Sequence, residues 1–174
     1  MRYLGDALVA TLGLAAVITV ATTPIWGPPA WHRWTNSSIA KAENMLDGAR
    51  SSNSPIRYSR TMTYLNNIGN SIIKYQRDRG LDGSQECTDG TKEEGLNGIK
   101  FKFYELLGKT HESMTNHAPD NYEEIVVGWR KAADAYSLAF GCAPTDVDTS
   151  GLEKTMLDIE EQIRKAVKQN GEDV

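Results

Sequence analysis

Three residues past the middle of the chain carry the side chains best suited to chemistry: His111, Glu112 and His117. Two histidines that share a metal on one helix stand four apart, so both imidazoles face the same way. These stand six apart, on or past the end of the helix that the surrounding pattern predicts, and do not share a face in that manner. The spacing predicts surface histidines near a helix end. The carboxylate pairs Glu93-Glu94, Glu123-Glu124 and Glu160-Glu161 fall in first turns or on outward faces. A carboxyl group serves as a general acid only where a cleft perturbs its pKa, and the pattern puts these in water. Met45, Met62, Met114 and Met156 are the candidates to pair with a histidine around a haem, but a methionine on an apolar stripe reads as core filler. The Glu-x-x-His pattern of di-iron bundles is absent from the sequence, as are the glycine loops that cradle phosphate and the G-x-S-x-G elbow. No catalytic, cofactor-binding or metal-ligating residue is therefore expected, and the predicted role is contact, not catalysis.

The two cysteines, Cys87 and Cys142, do not form C-x-x-C or C-x-x-C-H, so neither a thioredoxin-like site nor haem attachment is implied. Cys87 falls between the second and third predicted helices and Cys142 just past the fourth. If helices two, three and four run up, down and up, both thiols stand at one end of the bundle. In an oxidising compartment they are a candidate disulfide closing a loop of about 55 residues.

From residue 7 to residue 31 no side chain is charged, and residues 7–21 are nearly all apolar. A spanning helix needs about 20 such residues, since each adds 1.5 Å against roughly 30 Å of hydrocarbon. The run reaches that length at Trp26, with Pro24 in the last turn, where its missing N–H is tolerable. Trp26, Trp31 and Trp34 follow as a candidate membrane-interface belt, because indole favours the headgroup zone. An anchor over residues 1–26 in contact with lipid through 7–26 is the preferred reading. The alternative is a signal peptide cut after Thr19-Val20-Ala21. The domain is assigned to the extracytoplasmic side, periplasm or intermembrane space, mainly because of the cysteines.

The elements that position these residues follow from a 3.6-residue period. A Pro/Gly/Trp-rich connector is expected over 27–36 and a helical domain over 37–170, with a frayed tail at 171–174. Helix one, over 37–49, puts Ile39, Ala42, Leu46 and Ala49 on one face. Helix two opens on Pro55, carries Tyr58, Met62, Leu65, Ile68, Ile72 and Tyr75, and stops at Gly80. Helix three, with Thr91 and Glu94 at capping-box spacing, carries Leu96, Ile99, Phe103, Leu106, Leu107 and Met114. Lys100 and Lys102 are expected to point elsewhere. Phe101 and Tyr104 lie off that stripe and are the candidate partner-contact residues, as exposed aromatics suit protein contact. Helix four, from Pro119 and Asp120, carries Val126, Trp129, Ala133, Tyr136 and Phe140. Helix five, from Ser150, carries Leu152, Met156, Ile159, Ile163 and Val167. No stretch alternates with period two, so an all-α fold is predicted: a four- to five-helix antiparallel bundle, or stacked helical hairpins.

Tyr104, Leu107, Gly108 and His111 are spaced as in the first helix of a tetratricopeptide repeat, and Ala132, Tyr136, Ala139 and Pro144 as in the second. The halves stand about twelve residues too far apart for one repeat. The likeness therefore implies similar packing, hairpins with a concave side, and not membership.

A chain of 174 residues with a formal net charge of −4 has no basic stripe with which to displace counterions, so nucleic acid is excluded as a partner class. The expected function is an accessory or scaffold subunit of a membrane-associated complex, acting through protein–protein contacts. The alternative is a secreted or periplasmic helical module that binds a small apolar ligand.

Overall fold

A computed structural model describes residues 28–81, 87, 94–117 and 122–169. These form five helices and, among the described residues, no strand: α1 (Pro28–Ser52), α2 (Pro55–Asp78), α3 (Glu94–Asn116), α4 (Tyr122–Gly141) and α5 (Ser150–Gln169). The chain divides into two compact units, Met1–Trp31 and His32–Val174. Of the first, only residues 28–31 are described, and they open α1. The expected anchor over 7–26, with Trp26, and the tail 171–174 lie outside the described residues. Among the described residues no helix is long and apolar enough to cross a membrane.

Residue 28 opens α1, nine residues before the helix start expected at 37, which replaces the expected connector at 27–36. Prolines at 28 and 29 do not block the first turn, whose N–H groups have no intrahelical acceptor anyway. The buried stripe Ile39, Ala42, Leu46 and Ala49 extends backwards through Thr35, fully buried four residues earlier, to Trp31 at 7% exposure. Threonine continues an apolar spacing without being apolar, which hides the first turns from a hydropathy reading.

A two-residue turn with Asn53 at φ 45° joins α1 to α2. Pro55 opens α2 after the extended Ser54. At its far end Gly80 adopts φ 65°. There the Gly80 N–H donates to Arg77 O at 3.0 Å and the Leu81 N–H to Gln76 O at 3.0 Å. This pair of bonds closes the helix by satisfying carbonyls that have no further turn to bond. The expected caps at Thr91 and at Pro119-Asp120 lie outside the described residues. At α5 the Ser150 N–H donates to Asp148 Oδ1 at 2.9 Å, so Asp148 caps the helix and these bonds hold its carboxyl below the usual range.

Cross-helix contacts fix the directions. Between α1 and α2, His32 meets Tyr75 (ring centroids 5.9 Å apart), Lys41 Nζ lies 5.2 Å from the Tyr64 ring, and Arg57 donates to Gly48 O at 3.1 Å. Rising numbers on one helix pair with falling numbers on the other, so they are antiparallel. The α2–α3 pair is also antiparallel: a β-carbon on Gly69 would stand 3.0 Å from Phe103, and Tyr58 stacks on His117. By contrast α1 and α3 run parallel, with His32 beside Gly95 and Arg50 Nε donating to Ser113 Oγ at 2.8 Å. Successive helices therefore alternate in direction through α1, α2 and α3.

The seam between α3 and α4 is the closest. A β-carbon on Gly108 would lie 2.8 Å from the Tyr136 ring, and one on Gly128 would overlap Thr115. Only glycine admits such an approach. Several buried residues of α3 are threonine or serine that satisfy their hydroxyls on the preceding turn: Thr110 on Leu106 O at 2.8 Å, Ser113 on Lys109 O at 2.7 Å and Thr115 on His111 O at 2.8 Å. Being short and internally bonded, they let helices pack where longer chains would hold them apart. The last helix, α5, packs on α4 through a cluster of Trp129, Ala132, Tyr136 and Ile159.

Three expectations about facing are corrected. Lys100 is buried, at 2% exposure, and does not point outward. Phe140 is exposed at 43%, because Ala135 and Ala139 take the inner face of α4 instead. Tyr104 is buried and its ring meets Phe103 edge-on at 5.1 Å, so it packs inside and is not a contact surface.

Candidate functional site

Helix directions place Cys87 and Cys142 at the same end of the bundle, and the two form a disulfide with Cα atoms 5.0 Å apart.

At the opposite end the amino-terminal turns of α2 and α4 meet the last turns of α3 and leave an open groove of about 710 Å³. From α2 come Pro55, Tyr58 and Met62; from α3 come His111 and Met114, with His117 just past its end. The α4 side supplies Val127, 47% exposed, with Glu123, Glu124 and Lys131. Tyr58 is buried at 2% exposure and stacks on the exposed His117, centroids 5.6 Å apart and planes 29° from parallel. The Tyr58 hydroxyl is sealed from solvent and has no hydrogen-bond partner among the described residues. Burial, aided by the positive charge of Lys131, holds the His111 imidazole below the ordinary histidine value of 6.5, so the ring is neutral at pH 7.

The trio His111, Glu112 and His117 is thus divided. Both histidines line the groove, although six residues apart, because the helix ends between them. Glu112 turns to another face, where Tyr136 Oη donates to its Oε2 at 2.9 Å. There Arg50, Lys109, Glu112 and Tyr136 line a smaller depression of about 280 Å³. No group of three or more metal-ligating His, Cys, Asp or Glu side chains occurs among the described residues. The groove is lined by imidazole, thioether and aromatic surface.

Of the tryptophans read as an interfacial belt, Trp31 is buried and Trp34 is 38% exposed; Trp26 lies outside the described residues. Of the two aromatics read as partner contacts, Phe101 is half-buried and Tyr104 buried. Sequence reading passed over Tyr58 and Met62 as ordinary core. The signal for a site was Val127, an apolar residue off its own helix's stripe and level with Met114 on the facing helix.

Burial raises the Tyr104 pKa to about 12. Burial first, and then the carboxylate of Glu112, raise that of Tyr136 further. An unfolded tyrosine ionises near 10, so above that pH the unfolded chain gives up protons that the folded chain keeps. These two tyrosines therefore cost the fold nothing below pH 10 and destabilise it progressively as pH rises towards 12. Denaturant midpoints measured across pH 8–12 are expected to fall steeply from pH 10. Tyr136→Phe should flatten that fall, and an unchanged slope would refute the assignment.

Compared with protein-family models, curated proteins and solved structures, the chain matches none.

Proposed function

We propose that the chain is a non-catalytic, single-pass membrane protein whose helical bundle stands on the extracytoplasmic side. It serves as an accessory or scaffold subunit of a membrane-associated complex and acts through protein contacts. The charge-free run over residues 7–26 carries this reading, because lipid tolerates so long an uncharged segment and water does not favour it. A Cys87–Cys142 bridge supports the assignment to an oxidising compartment. Exposed apolar side chains on the bundle, Ile56 at 67% and Leu157 at 63% among them, supply surface for a protein partner.

Membrane fractionation tests it. The intact chain is expected to stay in the pellet after alkaline carbonate extraction, with a mass that begins at Met1, and to co-purify with a partner after mild detergent. Release into the soluble fraction with a start near Thr22 would overturn the tether. That result would favour the second reading, an exported module that binds a small apolar ligand, for which the groove beside His111 provides a site.

A further inference from the structure

We infer that the groove between α2, α3 and α4 binds a neutral aromatic alcohol or ketone, whose oxygen hydrogen-bonds His111 while its ring lies against Met62, Met114 and Val127. This deepens the ligand-binding reading and does not depend on the tether. The size fits: small-molecule sites span about 300–1,000 Å³, and this groove measures about 710 Å³. Its walls favour a flat ring, since thioethers attract aromatic edges and the Tyr58–His117 stack presents a planar surface.

The polar groups call for an oxygen. His111 lines the groove half-buried, where its imidazole is open to a ligand, and the Tyr58 hydroxyl, lodged in the same wall, has no partner among the described residues. A buried hydroxyl left unbonded costs more than an average hydrogen bond gains, so a native fold retains one for a reason. A ligand hydroxyl or carbonyl satisfies the imidazole directly. Neutrality follows from the lining charges. Glu123 and Glu124 outnumber Lys131, and a neutral His111 adds no positive charge, so a carboxylate meets repulsion.

Fluorescence titration of the full-length protein in detergent with 2-naphthol tests this, with naphthalene and 2-naphthoate as comparisons. Saturable binding of 2-naphthol is expected, about tenfold tighter than either comparison, which is one good hydrogen bond. His111→Phe should weaken 2-naphthol about tenfold and leave naphthalene unchanged, while His111→Gln retains most of the affinity. Thermal melts of each variant establish that it folds, and partition into micelles cancels between proteins in the same detergent. Absence of saturation, equal affinity for naphthalene, or a loss shared by both probes would overturn the site. Failure here with the chain still pelleting in membranes leaves the tether standing, and binding by a chain that does not pellet does the reverse.

Discussion

Removing the Cys87–Cys142 bridge is expected to cost about 4 kcal/mol, because it releases a loop whose ends are 55 residues apart in sequence. For a domain of this size that is a fall in melting temperature of roughly 10 °C. The bridge ties the segment after α2 to the end of α4, and between its ends lie the whole of α3 and α4. Without it, the unfolded chain regains the freedom of all those residues, while the folded chain loses little. Cys142 is 2% exposed, and its N–H still bonds back to Ala139 O at 2.9 Å, so one half of the bridge is held by the helix it terminates. Thermal unfolding of the oxidised protein, of the protein with reductant, and of a Cys87→Ala/Cys142→Ala double variant measures the effect. The last two should melt together, well below the first. Coincidence of all three curves would show that the bridge contributes nothing.

The helices were legible where burial is achieved by apolar residues. Leu65, Ile68 and Ile72 on α2, or Leu96, Ile99 and Leu106 on α3, recur at helical spacing and are buried, so periodicity alone locates both elements. The geometric argument for the cysteines also held, since it needs only helix order and direction. Legibility failed where small polar residues pack. Thr35, Thr61 and Thr110 are fully buried, and a reading that seeks apolar stripes passes over them, although the last two satisfy their hydroxyls on their own helix. It failed again at Tyr104, whose inward place is set by neighbouring helices and not by the stripe of its own. The groove was invisible for a related reason. Its members are separated by up to 76 positions, from Pro55 to Lys131, and converge only because three helix ends stack. That Glu112 belongs to another surface than His111 follows from one residue of helical rotation, about 100°, once the seam with α4 is fixed.

Ile159→Ala is expected to cost about 4 kcal/mol and to act on α5 before the rest of the domain. Along α5 the stripe Leu152, Met156, Ile159, Ile163 and Val167 is visible, yet among its described residues only Ile159 is fully buried, at 1% exposure. It inserts into the cluster of Trp129, Ala132 and Tyr136, and Leu152, Met156 and Ile163 pack around that insertion while half-buried. A helix held by one deep side chain and a partly wet border has little to replace it, and deletion of a buried branched side chain removes its transfer energy and leaves a cavity. The remaining helices keep their own cores, such as Leu46, Leu65 and Leu96. Hydrogen exchange should therefore show amides over 150–169 losing protection while α2 and α3 retain theirs, the signature of a separate opening unit. Leu157→Ala, at a side chain 63% exposed, is the control and should change stability by no more than about 0.5 kcal/mol. Equal loss of protection in all helices would show that α5 is an integral part of one cooperative core and not an appended layer.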